Sequence, residues 1–150
     1  MNNTEEFIKL DEAYIEQMAE LFKAAFSGEP RHDDWSDQTQ LTGYIKDIAC
    51  CSSSLNYGLI SNGRLIAMSV GTVRRWWEGT NYNIEEFCVA PDKQGQNLGT
   101  RFMAMIEDDI KSKGISGIFL QTDSDKPSYR FYKKNGFDLL EAHVSLYKKL

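Results

Sequence analysis

The residues of this chain whose types and spacing best suit chemistry are Gln94-Gly95-Gln96-Asn97-Leu98-Gly99-Thr100, which follow an apolar strand-like stretch ending at Val89. Flexible polar residues turn the chain, and a helix opens at Gly99, which adds no side-chain bulk. Free backbone N–H groups at such a helix start form a cradle for phosphate oxygens. A triphosphate loop would need Lys and then Ser or Thr after its last glycine, whereas Gly99 is followed by Thr100 and Arg101. A dinucleotide fingerprint would need G-x-G-x-x-G and an acidic residue about 20 positions on. Asp123 stands at a tolerable distance, but Gly95 and Gly99 are wrongly spaced. On these residues alone the phosphorylated cofactor stays unnamed.

Composition narrows the classes. A chain of 150 residues, 41% hydrophobic and 26% charged, is long enough for one domain with one core. No apolar run approaches the roughly 20 residues of a membrane helix, so no membrane partner is expected. The polar, acidic start Met1-Asn2-Asn3-Thr4-Glu5-Glu6 is unlike a targeting peptide, which makes the cytoplasm the expected location. Cys50, Cys51 and Cys88 are odd in number and lack paired Cys-x-x-Cys spacing, so all three are expected to be ordinary buried or half-buried thiols. His32 and His143 stand alone, and no metal is assigned. A net charge of −5 argues against a nucleic-acid partner and suits a cationic substrate, although it also serves plain solubility.

The elements that must position the cradle follow from periodicity. Residues 7–10 read as a strand. Asp11 caps a helix carrying Ile15, Met18, Phe22, Ala25 and Phe26, stopped by Ser27-Gly28-Glu29-Pro30. An acidic, aromatic loop over residues 29–35 leads to a second helix near Asp37, with Leu41, Tyr44, Ile45 and Ile48 on one face. Residues 55–60 and 65–73 are strands joined through Asn62-Gly63, a two-residue hairpin signal. After a turn at residues 77–80, residues 82–89 form the next strand. A helix over 99–113 follows the cradle and Gly114 ends it. Residues 117–122 form a buried strand, parallel by the strand–helix–strand rule. A last helix runs from Pro127 to a Gly136 cap, and residues 137–140 and 144–147 are expected to close the sheet. The fold expected is a single-domain α/β (α+β) arrangement: a mixed, mostly antiparallel sheet of six to seven strands with helices on both faces.

This order of elements resembles the GNAT superfamily of acetyl-CoA-dependent N-acetyltransferases. Residues 89–99 look like that family's Gln/Arg-x-x-Gly-x-Gly pyrophosphate loop after a fourth strand. Ser128-Tyr129-Arg130-Phe131-Tyr132-Lys133-Lys134-Asn135-Gly136-Phe137 is similar to its closing signature, a Phe-Tyr helix ending in Gly-Phe. Three positions depart from the pattern. Asn97 replaces the first loop glycine, and Asn tolerates positive φ better than other non-Gly residues. Asp125 stands where such proteins often have Asn, and Ser128 where they have Ala.

The resemblance implies roles. The amides of Gln94, Gly95, Gln96, Asn97, Leu98, Gly99 and Thr100 would bind the pyrophosphate of acetyl-CoA, with Asp125 and Ser128 beside it. The backbone of Phe87, Cys88 and Val89 would pair with the pantetheine arm, and the Val89 N–H would stabilise the thioester oxyanion. Tyr132 is the candidate general acid for the departing thiolate; a plain core tyrosine is the alternative. Glu85 is the candidate base, placed by strand alternation on the face of Asn83, Phe87 and Val89; an ordered water could replace it. Alternation turns Glu86 the other way, toward a surface cation. The loop residues Asp34 and Trp35, with Trp76, Trp77 and Glu78, would form the acceptor surface, aromatic faces and carboxylates suiting a cation.

The expected activity is direct transfer of the acetyl group of acetyl-CoA to a primary amine of a small, cationic molecule. The Trp- and Asp-bearing interhelix loop resembles that of some aminoglycoside 6′-N-acetyltransferase-like members of the family, which would refine the substrate to an aminoglycoside amine. The alternatives are a non-catalytic CoA-binding or regulatory member, acetylation of a protein or peptide amine, and a nucleotide-binding module. A homodimer is compatible with the resemblance, although no residue demands one.

Overall fold

In the computed structural model, which describes residues 4–150, Asn62 and Gly63 take φ of 52° and 77°. Two consecutive left-handed residues turn a hairpin tightly, and they join β2 (Ser54–Ser61) to β3 (Arg64–Trp76). β1 (Glu5–Lys9) lies outside β2, and β4 (Gly79–Val89) and β5 (Gly117–Leu120) follow β3, giving a five-stranded sheet ordered β1-β2-β3-β4-β5. The first three pairings are antiparallel and β4–β5 is parallel. The expected mixed, mostly antiparallel sheet is therefore present.

Helices α1 (Ile15–Ser27) and α2 (Gln38–Ala49) cover one face, and α3 (Leu98–Ser112) packs on the other, with α4 (Pro127–Lys134) against its start. Asp37 caps α2, accepting from the Gln40 amide at 3.1 Å. Asp11 caps a single 3-10 turn that leads into α1. On the α3 face, Phe7, Tyr57, Tyr82, Phe87 and Phe102 form a continuous aromatic layer, with Phe87 stacked on Phe102 at 5.5 Å. The Tyr57 hydroxyl donates to Asp109 Oδ2 at 2.6 Å and ties α3 to the sheet; this bond is the main cause holding the Asp109 carboxyl below its usual pKa. No helix among the described residues is long and apolar enough to cross a membrane.

The closing strands expected over 137–140 and 144–147 do not form: the sheet has five strands, and the chain after α4 is irregular. Apolar alternation there shows what a strand could bury, but a strand needs a ladder partner. β5 pairs only with β4, and Leu139, Leu140, Val144, Leu146 and Tyr147 stay exposed.

A second departure lies inside β4. Val70 pairs with Glu86 and Gly71 with Ile84, so Glu85 has no partner: it is a β-bulge. Facing residues share a side, so the extra residue flips the alternation. Asn83, Glu86 and Cys88 lie on the α1/α2 side with Thr72, Val70 and Met68, while Ile84, Phe87 and Val89 lie on the α3 side. The expectation that Glu85 shares a face with Asn83, Phe87 and Val89 fails for this reason.

The bulge is braced. The Gly71 amide donates to Asn56 Oδ1 at 3.3 Å, and the buried Asn56 also donates from Nδ2 to the Ala49 carbonyl at 2.9 Å. The Tyr82 hydroxyl is shared between Ser69 Oγ at 2.8 Å and the Leu55 carbonyl at 2.9 Å. Gly71 is required by contact: a Cβ there would collide with the Asn83 carbonyl oxygen and lie 2.7 Å from the Tyr82 ring. Gly71→Ala is expected to lower unfolding stability by about 1–3 kcal/mol in urea titrations; an unchanged midpoint would show that the bulge yields freely.

Candidate functional site

The cradle begins where β4 stops. Pro91–Lys93 make one 3-10 turn, and the Arg64 guanidinium grips Asp92 through bonds of 2.8 and 2.7 Å, holding its pKa down at about 2. Gly95 at φ 77° and Asn97 at φ 60° then bend the chain. Asn97 thus adopts the left-handed turn without a glycine. Its carbonyl accepts the first backbone bond of α3, from Arg101 at 3.2 Å, so the amides of Leu98, Gly99 and Thr100 precede the helical ladder. Leu98 is buried, while Gln94, Gly95, Gln96 and Asn97 are exposed. Gly99 allows close approach: a Cβ there would sit 3.1 Å from the Phe131 ring of α4. The arrangement is open, donor-rich and at the positive end of a helix dipole, and it fits a pyrophosphate.

β4 also presents a free edge leading to this cradle. Its pairing with β5 ends at Ile84–Leu120, immediately before the bulge. The Ala90 amide donates to the Ile66 carbonyl on the β3 side at 2.8 Å. Backbone groups alternate in an antiparallel ladder, so the amides of Val89 and Phe87 point away from β3, to the side β5 has left. The Val89 carbonyl on that side is taken by Gln94 Nε2 at 3.2 Å. Cys88 differs from its neighbours: its backbone points to β3 and its side chain is buried, which pushes the thiol pKa far up. Cys50 and Cys51 are exposed rather than buried.

Tyr132 of α4 stands beside this edge. Its ring packs 6.3 Å from Phe87, 5.2 Å from Phe131 and 5.3 Å from Phe137. Burial, then the nearby Glu86 and Cys88, raise its pKa above the ordinary value, so the phenol keeps its proton at neutral pH. Its hydroxyl makes no hydrogen bond among the described residues and is free to donate. Ser128, one turn earlier, bonds Thr122 Oγ1 at 2.8 Å across the β5–α4 loop. Asp125 is exposed in that loop, next to Lys126 at 3.9 Å.

On the α1/α2 side, Glu86 accepts a 2.6 Å bond from the Tyr44 hydroxyl rather than facing a surface cation. Burial raises the Glu86 pKa, with Tyr44 and Arg31 working against it. Trp35 is packed between Phe22 at 5.0 Å and Tyr44 at 5.4 Å, and its Nε1 is buried with no partner. Arg31 holds Asp33 at 3.0 Å, reaches Asp123 at 3.6 Å and lies over the Phe26 ring at 5.3 Å. Asp34 is exposed, its carboxylate accepting from the Ser36 amide at 3.0 Å. Glu85 is exposed at the bulge.

The structure therefore gathers Tyr132, Phe87, Val89 and the cradle along one edge, with Glu85, Glu86, Tyr44 and Arg31 nearby. It does not bring Trp76, Trp77 and Glu78 there. They form the exposed tip of the β3–β4 hairpin, six or more residues along β4 from Glu85, or roughly 20 Å. Glu86, Tyr44 and Arg31 were missed in the sequence because plain alternation sent Glu86 away. A glycine inside the β3 pattern at Gly71 was the available signal of a bulge.

The sequence model of the acetyltransferase (GNAT) family matches residues 15–137. No curated protein matches the sequence. Solved structures share the fold at low identity. A possible acetyltransferase from Clostridium difficile 630 aligns with TM-score 0.81 and 12% identity, over 97% of this chain and 98% of its own. An aminoglycoside acetyltransferase from an uncultured soil metagenomic sample, in complex with sisomicin, gives 0.76 and 17%, over 99% and 98%. AAC(6′)-Iy, in complex with the bisubstrate analog CoA-S-monomethyl-acetylneamine, gives 0.72 and 16%, over 98% and 99%. With the family pattern spanning most of its length, this chain belongs to the acetyltransferase (GNAT) family.

Proposed function

We propose that the protein moves the acetyl group of acetyl-CoA directly to a primary amine of a small, cationic molecule. The observation that carries this reading is the unpaired β4 edge running into an open anion cradle, with a protonated phenol alongside. The amides of residues 98–100 hold the pyrophosphate, and the Phe87 backbone groups with the Val89 N–H take the pantetheine arm as an added strand, the Val89 carbonyl being held by Gln94. The amine attacks the thioester carbon, and the Val89 N–H stabilises the oxygen that gains charge. The C–S bond breaks as Tyr132 gives its proton to the leaving sulfur. The ammonium proton leaves to Glu85, directly or through water, since Glu86 is already engaged by Tyr44. Small amines are favoured by the acidic groups around the bulge and by the neighbours described as aminoglycoside acetyltransferases, one of them with sisomicin bound. An aminoglycoside 6′-amine is the refinement within this reading.

Glu86 as the base is a second reading, supported by its raised pKa and its place on the α1/α2 side. Non-catalytic CoA binding is a third; it would be established if the wild type released no free CoA against any amine in a broad panel.

Tyr132→Phe is expected to cut kcat by on the order of 10²-fold while calorimetric acetyl-CoA affinity stays unchanged; a kcat near wild type would assign Tyr132 to packing. Glu85→Gln is expected to lower kcat/KM more strongly than Glu86→Gln, with rates compared across pH, and the reverse order would transfer the base to Glu86. At the cradle, Asn97→Ala forces a left-handed conformation costing about 1–2 kcal/mol. Acetyl-CoA affinity should therefore fall about tenfold, while Asn97→Gly leaves it unchanged; equal affinities for all three would separate the turn from cofactor binding.

A further inference from the structure

Arg31 belongs to the loop between α1 and α2, yet it is tied across the opening where β4 and β5 part. The last parallel pair is Ile84 with Leu120, and Phe87 and Asp123 stand equally far beyond it, on opposite sides of the gap. Arg31 Nη1 lies 3.6 Å from Asp123 Oδ2, while its Nε donates to Asp33 Oδ2 at 3.0 Å. The guanidinium also lies over the Phe26 ring, 5.3 Å from the centroid. Its charge favours ionised Glu86, which Glu85 and Asp33 oppose. One side chain therefore links the α1–α2 loop to the β5–α4 loop on the side of the sheet where Glu86 meets Tyr44. The loop is shaped to deliver it. The Asp33 amide donates to the Phe26 carbonyl at 2.9 Å and the His32 amide to the Gly28 carbonyl at 2.8 Å, with His32 left-handed at φ 53°. The link itself is easily broken: the Arg31 and Asp123 side chains are 41% and 57% exposed, and exposed ion pairs hold weakly.

We propose that Arg31 sets acceptor specificity: its guanidinium straps the mouth of the site, and an acceptor with a second cationic group displaces it and takes its place. This rests on the transferase reading for the reacting amine and adds the second charge. The surroundings of the guanidinium, two carboxylates and an aromatic face, suit an ammonium group as well. An amine with one positive charge, spent at the reacting end, brings nothing to leave beside Asp33 and Asp123 when the strap opens. A second ammonium compensates both carboxylates as Arg31 withdraws. Selection then comes from two cations competing for one position, so the residue that opposes binding is also the one that discriminates.

Calorimetric titration of the CoA-saturated protein with putrescine and with butylamine, which differ by one ammonium group on the same carbon chain, tests this without turnover. Arg31→Gln should tighten putrescine binding by about threefold to fivefold, the range of an exposed charge pair, and leave butylamine and CoA affinities unchanged. Adding Asp33→Asn and Asp123→Asn to Arg31→Gln should abolish that gain. Putrescine binding that weakens or stays the same in Arg31→Gln overturns the proposal. So does equal tightening of both amines, a gain that persists without the two carboxylates, or no putrescine binding to any of the proteins. If the triple variant loses its far-UV dichroism, the contrast between the two amines in Arg31→Gln alone decides. The two readings fail separately. A wild type that binds as expected yet releases no CoA from acetyl-CoA with any amine loses the transferase reading alone, whereas turnover with unchanged affinities loses the strap alone.

Discussion

One backbone residue too many between Ile84 and Glu86 forces a local mismatch of β4 against β3, and the site is organised around it. The mismatch removes a ladder partner from the Gly71 amide, and a buried donor left alone costs about 1–3 kcal/mol. Asn56 supplies the acceptor, and Tyr82 spans from Ser69 to Leu55 across the same region. The bulge also coincides with the last paired residue of β5, so the two parallel strands separate there. An inserted residue thus opens the sheet at an internal position without exposing its core, because the aromatic layer of Phe87 and Phe102 closes the α3 side beneath the gap.

Electrostatics on the two sides of β4 differ. The α3 side is apolar and aromatic, and there the Tyr132 phenol is kept neutral by burial. The α1/α2 side holds Glu86 against Tyr44, with Arg31 and Asp33 close enough to bias its charge. A carboxyl whose pKa is raised in the folded state opposes stability once pH rises above its unfolded value, and that opposition is relieved as it protonates. Glu86 is therefore a group kept at a cost to folding, which is characteristic of groups retained for chemistry or for recognising a positive ligand. The Arg64–Asp92 pair has the opposite sense: its contribution is present above pH 3.8 and fades toward pH 2. It sits on the surface and steadies the entrance to the cradle.

Much of the fold was legible from local chemistry. Asn62-Gly63 marked the hairpin, Asp37 the second helix and Gly136 the end of α4, because each position has a steric or hydrogen-bonding requirement met within a few residues. The cradle was legible for the same reason, down to the left-handed Asn97. What failed depended on distant partners. The bulge arises from how β4 registers on β3, and two adjacent glutamates give alternation no means of choosing between them. The closing strands failed because nothing in residues 137–147 says whether an edge is available. Trp76 and Trp77 were assigned to an acceptor surface by their type, whereas the length of the hairpin places them at its exposed tip, far along β4 from the bulge and from Tyr132.

The contact between Gly99 and Phe131 ties two parts of the site to one spacing. The first turn of α3, which presents the cradle amides, rests directly on the helix residue next to Tyr132. With no Cβ between them, the separation of anion seat and phenol is set by bare backbone against an aromatic ring, the stiffest spacer available to the chain. A side chain at position 99 would press on the Phe131 ring, 3.1 Å from its Cβ, so the first turn of α3 and the helix that carries Tyr132 would have to shift against each other.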